Sequence, residues 1–174
     1  MRVLLNVNGM SQYSAEVRPE YQSSACGPTT AHVILNYLSQ DEAIINKDVN
    51  EWYKTLGGTK IGLFKWRMIK NLRNALGPNW TIDSCSLTEA IEQLRIGNPV
   101  AMKFDNYFTL QFLSKIKPLF KYHWVPLIGY EIKDDELHLI IHDNGGRNRE
   151  SQLRTFRYED NRRVLSFVKI EPKF

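Results

Sequence analysis

The cysteine at position 26 is followed by Gly27 and Pro28 and stands directly before a run of residues with helical spacing. Proline suits the first helical turn, where its missing N–H costs nothing, and glycine lets the backbone bend sharply before it. Apolar residues within the range 33–38 give the predicted helix a face to bury. A thiol at the positive end of a helix is biased toward thiolate, so Cys26 is a candidate nucleophile. The alternative is a small buried residue at a helix start.

A second cysteine, Cys85, also precedes a predicted helix, for which Ser86 and Glu89 form a capping box. It lacks both the Gly-Pro pair and an upstream glutamine, so we interpret it as structural. With two cysteines and no zinc-type Cys/His spacing, the sequence predicts no metal site. A disulfide between Cys26 and Cys85 stays open, and it would exclude thiol chemistry.

A nucleophilic thiol needs a base, and four histidines could supply it. Two of them, His32 and His138, lie within a predicted helix and an apolar strand. His123 begins a predicted strand, and His142 ends the next one beside Asp143 and Asn144. Because the start of one antiparallel strand lies beside the end of its partner, we expect these residues to meet. An imidazole there could accept the thiol proton and be oriented by a carboxylate or an amide.

Neighbouring residues complete this predicted site. Asp143 and Asn144 point to opposite faces of a strand, so only one of them can orient the imidazole. Gln22, four residues before Cys26, could donate an N–H to the oxyanion that forms when the thiol attacks a carbonyl. A backbone N–H near the cysteine would be the second donor. Gln12 is a weaker candidate because it lies farther away in the sequence.

The apolar spacing predicts mostly helices before residue 97 and strands after Pro99, which together indicate an α+β fold. The predicted helices begin near Cys26, Asn46, Leu63 and Leu87. The predicted strands are Met1 to Val7, Trp80 to Ile82, Val100 to Phe104, His123 to Ile132, Leu137 to His142, Leu153 to Tyr158 and Val164 to Ile170. The last four are expected to form two hairpins.

Size and composition favour one domain over residues 1–174, since the chain is 43% hydrophobic and short for two cores. No apolar run reaches 18 residues, so no membrane span is predicted. The first residues are apolar too briefly for a signal peptide; we expect a soluble protein, cytoplasmic as it stands, or secreted if a leader precedes it. The net charge of +4 resides in residues 147–174, which we interpret as a solvated basic hairpin without a nucleic-acid partner.

Four aromatic residues stand in the predicted loop between Asp105 and Tyr122. They could line a substrate cleft or simply pack, and we favour packing. They are Tyr107, Phe108, Phe112 and Phe120.

Four motifs together resemble the papain-like cysteine peptidases, and most closely the C39-like peptidase family. They are Gln22, Cys26-Gly27-Pro28-Thr29, His123-Trp124-Val125 and the turn from His142 to Gly146. The ranges 4–7 and 11–13 resemble the opening segment of that family. The resemblance implies a papain-like α+β fold, in which an N-terminal helical half packs on a C-terminal antiparallel sheet.

The resemblance also implies roles: Cys26 is the nucleophile, His123 the general base and acid, Asp143 its orienting partner and Gln22 the oxyanion donor. Asn144 departs from the proline that often follows the aspartate in this family, and it competes with Asp143. A peptide or protein substrate would be hydrolysed through an acyl-enzyme by a monomer without metal or cofactor. The open alternatives are an amidase, an acyltransferase or transglutaminase-like enzyme, and a non-enzymatic binding module.

Overall fold

The computed structural model describes residues 1–107 and 117–173. The helices of these residues are α1 (Pro19–Gln22), α2 (Cys26–Leu38), α3 (Glu42–Ile45), α4 (Val49–Leu56), α5 (Lys65–Leu76), α6 (Leu87–Arg95) and α7 (Tyr158–Asn161). The strands are β1 (Arg2–Leu4), β2 (Trp80–Cys85), β3 (Val100–Asp105), β4 (Tyr122–Lys133), β5 (Glu136–Asp143), β6 (Gln152–Arg157) and β7 (Leu165–Pro172). None of these helices is long and apolar enough to cross a bilayer.

The strands form one antiparallel sheet with helices packed on it, which confirms the predicted α+β class. The strand order is β2-β7-β3-β4-β5-β6, and β1 pairs with β4 outside this path. Helices α2, α4 and α5 share one apolar core with the sheet, in which Trp124 is fully buried. Helix α6 contributes Ala90 and Leu94 to the core that includes Phe104. The sheet is thus covered by helices from both cores.

Local signals set the helix starts. Helix α6 begins at the predicted capping box, in which Ser86 Oγ accepts from the Glu89 backbone N–H and the Glu89 carboxylate accepts from the Ser86 N–H. Helix α4 has a second capping box, formed by Asp48 and Glu51. The predicted cap at Asn46 was therefore wrong, because Asn46 instead ends the short helix α3.

The predicted hairpin of the last two strands was also wrong. β6 pairs with β5 at one edge of the sheet, whereas β7 crosses over to lie between β2 and β3. An interior strand is covered on both faces, and the buried residues Phe167, Val168 and Ile170 give β7 that character. Local pattern specifies a strand but not its neighbours, so this crossover could not be read from turn residues alone.

The hairpin of β4 and β5 confirms the prediction that matters most for the site. Its turn places Asp134 and Asp135 at positive φ (52° and 59°), the left-handed conformation that tight hairpin turns require. The register runs from Lys133 opposite Glu136 back toward the start of β4. The start of β4 and the end of β5 consequently lie at the same end of the sheet, beside the first turn of α2.

Candidate active site

Cys26 is the first residue of α2 and is only 5% exposed. Helix α2 approaches the sheet closely here because Gly27 has no side chain: a Cβ at Gly27 would lie 2.9 Å from the Leu63 side chain and 3.3 Å from Trp124 Cδ1. Both Cys26 and Cys85 are free thiols, so the alternative of a disulfide between them does not hold in this structure.

The structure places Cys26 and His123, which the sequence analysis expected to meet, on the lining of the same cleft. Burial opposes ionisation of the thiol, but the hydrogen bond and charge of His123, with the backbone N–H groups of Trp124 and Gly27, lower the pKa of Cys26 below its ordinary value. Burial would likewise lower the pKa of His123, but Asp143 and Cys26 raise that pKa to about 9. This arrangement favours a thiolate–imidazolium pair at neutral pH.

Asp143 lies on the other side of His123, with 3.5 Å between its Oδ1 and His123 Nε2. This leaves His123 Nδ1 for the thiol. Asp143 is fully buried, yet two guanidinium groups reach its Oδ2, Arg154 at 2.7 Å and Arg149 at 2.9 Å. Burial would raise the pKa of Asp143, but the hydrogen bond and charge of His123, with both arginines, lower it. The carboxylate therefore stays ionised beside the imidazole.

The two arginines were missed by the sequence analysis, which interpreted residues 147–174 as a solvated basic hairpin. Arg149 follows the turn after β5, and Arg154 lies on β6, where it pairs with Ile141. Their side chains are partly exposed, at 36% and 32%, while the carboxylate of Asp143 is fully buried. No residue spacing signals such contacts; an excess of basic residues near the predicted acid was the available hint.

Asn144 is the residue after the end of β5, and its side chain has partners other than those of Asp143. Its side chain is buried and its Nδ2 donates to the carbonyl oxygens of Cys26 (3.0 Å) and Trp124 (2.8 Å) and to Thr30 Oγ1 (3.0 Å). Its amide is thus committed to α2 and β4, whereas Asp143 is the residue of this pair that reaches the imidazole.

The structure places Gln22 and Gln12 differently from the prediction. Gln22 Nε2 donates to the carbonyl oxygens of Val17 (3.1 Å) and Ser14 (3.3 Å), so both of its N–H groups have other partners. Gln12 is buried and lines the cleft with Cys26. Its Nε2 donates one N–H to the Gln22 carbonyl at 2.7 Å, and no other acceptor within the described residues takes the second.

Cys26 and His123 open into a cleft of about 690 Å³. Its aromatic and aliphatic lining comes from the start of β4, from residues 60–64 and from Tyr107. Packing was favoured above for the aromatic residues of the loop, but Tyr107 and Phe120 line this cleft; Phe108 and Phe112 lie outside the described residues. The Phe120 ring also contacts the His123 imidazole, with 4.7 Å between centroids.

The other chemistry-bearing residues lie elsewhere. His32 Nδ1 lies 3.1 Å from the Lys47 carbonyl oxygen, and His142 Nδ1 lies 2.5 Å from Ser151 Oγ. His138 lies near the far end of β5. Within residues 1–107 and 117–173, no group of three or more His, Cys, Asp or Glu side chains is placed to hold a metal ion.

Cys26 and His123 thus line one cleft in a fold that packs helices on an antiparallel sheet. The Peptidase_C39 like family model matches residues 4–168, so the chain belongs to this family. The family and the fold together suggest a cysteine peptidase. No curated protein sequence shows a significant match.

Solved structures show the same fold. A C39-like peptidase from Bacillus anthracis superposes with a TM-score of 0.62 at 13% identity, and the alignment covers 100% of both chains. The peptidase domain of Streptococcus ComA, a bifunctional ABC transporter of a quorum-sensing pathway, gives 0.55 at 12% identity over 94% of this chain and 97% of that one. UfSP from C. elegans gives 0.57 at 10% identity, covering 99% of this chain and 34% of the other.

Proposed function

We propose that the protein is a cysteine peptidase that hydrolyses peptide bonds through an acyl-enzyme on Cys26. The observation that carries this proposal is that Cys26 and His123 line one open cleft, with Asp143 Oδ1 3.5 Å from His123 Nε2. The thiolate attacks the scissile carbonyl carbon, and the imidazolium gives its proton to the leaving amine. His123 then takes a proton from water, which attacks the thioester and releases the acid. Asp143 orients the imidazole throughout.

We assign the oxyanion donor to Gln12 in place of Gln22. Gln12 lines the cleft that contains the thiol and has an N–H that no other acceptor of the described residues takes, whereas the amide of Gln22 donates to the carbonyls of Ser14 and Val17. The second donor is the backbone N–H of Cys26, which has no acceptor within its own helix because it lies in the first turn. Two such donors, fixed before the reaction, stabilise the charge that develops on the carbonyl oxygen.

The substrate should carry a bulky apolar side chain next to the scissile bond. Three aromatic residues, Phe64, Phe120 and Tyr122, line the cleft together with Cys26, and so does Ile61, which is 74% exposed. We call these four residues, Ile61, Phe64, Phe120 and Tyr122, the apolar wall of the cleft. Exposed apolar surface of this kind gains free energy when a ligand covers it. Gly62 makes this wall possible: its φ is +104°, and any side chain there would clash with the Tyr122 ring.

The test is digestion of a mixed peptide library by the wild-type protein and by Cys26→Ala, with products sequenced by mass spectrometry. We expect cleavage by the wild type only, next to aliphatic or aromatic residues. A parallel reaction with an added primary amine separates the alternatives, because an acyltransferase or transglutaminase-like enzyme would yield amide adducts instead of free acids. Equal product formation by Cys26→Ala would exclude the thiol mechanism.

A further inference from the structure

Asn144 contacts the backbone next to each residue of the proposed machinery. Its side chain donates to the carbonyl of Cys26, which carries the nucleophile, and to the carbonyl of Trp124, the residue after His123. Its own carbonyl accepts from the Gln12 backbone N–H at 2.8 Å. Through its own peptide bond it follows Asp143.

These contacts cross the boundary between the two halves of the site. Cys26 belongs to α2, and Trp124 belongs to β4. The side-chain amide of Asn144 carries two N–H groups. One of them donates to the Trp124 carbonyl oxygen, at 2.8 Å. The other is shared between the Cys26 carbonyl oxygen and Thr30 Oγ1, each at 3.0 Å. A single planar group therefore fixes how far the first turn of α2 stands from the start of β4.

We propose that Asn144 is a positioning residue that sets the separation of the Cys26 thiol and the His123 imidazole. This inference rests on the proposed peptidase function and adds a residue to it. Asparagine suits the task because its amide donates two hydrogen bonds without adding a charge to a buried site. Proline or an apolar residue offers no side-chain donor, and aspartate would set a carboxylate against three oxygen atoms. Asn144 does not touch the reacting atoms.

The test compares Asn144→Ala with Thr30→Val, which keeps both bonds from Asn144 to the backbone. Both are purified, checked by circular dichroism and thermal melting, and assayed for kcat, KM and the pH profile of Cys26 alkylation by iodoacetamide. For Asn144→Ala we expect kcat to fall by about 100-fold with KM nearly unchanged, because displacing reacting groups by about 1 Å has that effect. Its alkylation profile should move to higher pH. Thr30→Val should stay within about threefold of the wild type.

A folded Asn144→Ala protein with the wild-type kcat and alkylation profile would overturn the proposal. Should Asn144→Ala fail to fold, Asn144→Ser gives the same comparison, since its hydroxyl can donate to only one of the two carbonyls. The peptidase proposal fails separately: if the wild-type thiol itself titrates at its ordinary pKa, the Cys26–His123 pair is absent, and the positioning role falls with it.

Discussion

The two cysteines of this chain lie in similar positions along their secondary structure and in opposite electrostatic surroundings. Cys26 begins α2, and Cys85 ends β2 just before α6. Burial raises the pKa of Cys85 to about 11, with help from the charge of Glu89, whereas the pKa of Cys26 is lowered despite its burial. Proximity to a helix start is common to both thiols. The charged side chain that faces each thiol is what differs.

This contrast has a structural cause. Glu89 is near Cys85 because it closes the capping box that begins α6, so the same carboxylate that stabilises the helix disfavours a thiolate. α2 has no side-chain cap and no acidic residue in its first turn. The start of α2 therefore leaves its N–H groups and positive potential available to Cys26.

The largest expected effect comes from replacing each cysteine in turn, which tests directly which of the two thiols is the nucleophile. Cys26→Ala should abolish peptide cleavage, by on the order of a million-fold as for nucleophile loss in other triad enzymes, and should remove iodoacetamide labelling at pH 7. Cys85→Ala should leave both unchanged. Peptide mapping of the labelled wild-type protein checks this. Labelling concentrated on Cys85 would reverse the assignment of the nucleophile.

The next largest effect is expected from His123→Ala, which removes the imidazole that lowers the pKa of Cys26. Without His123 the thiol keeps its burial, which raises its pKa, and loses the partner that lowers it, so the alkylation profile of His123→Ala should move to higher pH. We expect cleavage to fall by about 10² to 10⁴-fold. In the wild type the ion pair is populated above the lowered pKa of Cys26 and is lost as pH rises through about 9, the pKa of His123.

The control for this experiment is His138→Ala, whose imidazole lies near the far end of β5. Cleavage and alkylation in His138→Ala should match the wild type. An alkylation profile for His123→Ala that overlays the wild-type profile would mean that the imidazole does not tune the thiol.

A smaller effect distinguishes Gln12 from Gln22. Gln12→Ala should lower kcat by about 100- to 1000-fold, the usual result of removing one oxyanion donor, without shifting the alkylation profile. Gln22→Ala should lower the free energy of unfolding by about 1–2 kcal/mol, because two hydrogen bonds to backbone carbonyls are lost, and should keep kcat near the wild-type value. Steady-state kinetics and urea denaturation measure both quantities. The opposite pattern would restore the oxyanion role to Gln22.

The smallest expected effect tests the apolar wall of the cleft that contains Cys26. This wall is a further difference between the surroundings of Cys26 and those of Cys85. Ile61→Ser should reduce kcat/KM about tenfold for a peptide with a bulky apolar residue, relative to the same peptide with glycine there. The control is Ile132→Ser, because Ile132 is also an exposed isoleucine but lies on β4. If Ile61→Ser alters both peptides equally, the wall does not select the substrate.

Short-range patterns in the sequence were sufficient for much of the fold and for the proximity of His123 to Asp143. The capping box at Ser86 and the hairpin of β4 and β5 depend on neighbouring residues, and both were predicted. The meeting of His123 with Asp143 followed from that hairpin. The roles proposed for these residues depended on motif order, which is visible without coordinates.

The failures involve contacts that no local rule specifies. Gln22, which is nearer to Cys26 in sequence, stays a predicted oxyanion donor, but no pattern in the sequence indicated that the chain folds back and brings Gln12 to the cleft. The insertion of β7 between β2 and β3 depends on pairing energies over the whole sheet. Arg149 and Arg154 contact Asp143 only because distant parts of the chain come together in the fold. Their positive charge alone did not indicate which acidic residue they would bind.

The two arginines on Asp143 also bear on how the protein is made. The ribosome releases Gln12, Cys26, His123 and Asp143 before it releases Arg154. A nascent chain that has not yet added β6 would have to enclose the Asp143 carboxylate without one of its two cations, at a cost of about several kcal/mol. We therefore expect the surroundings of Asp143 to close only after β6 has joined the sheet.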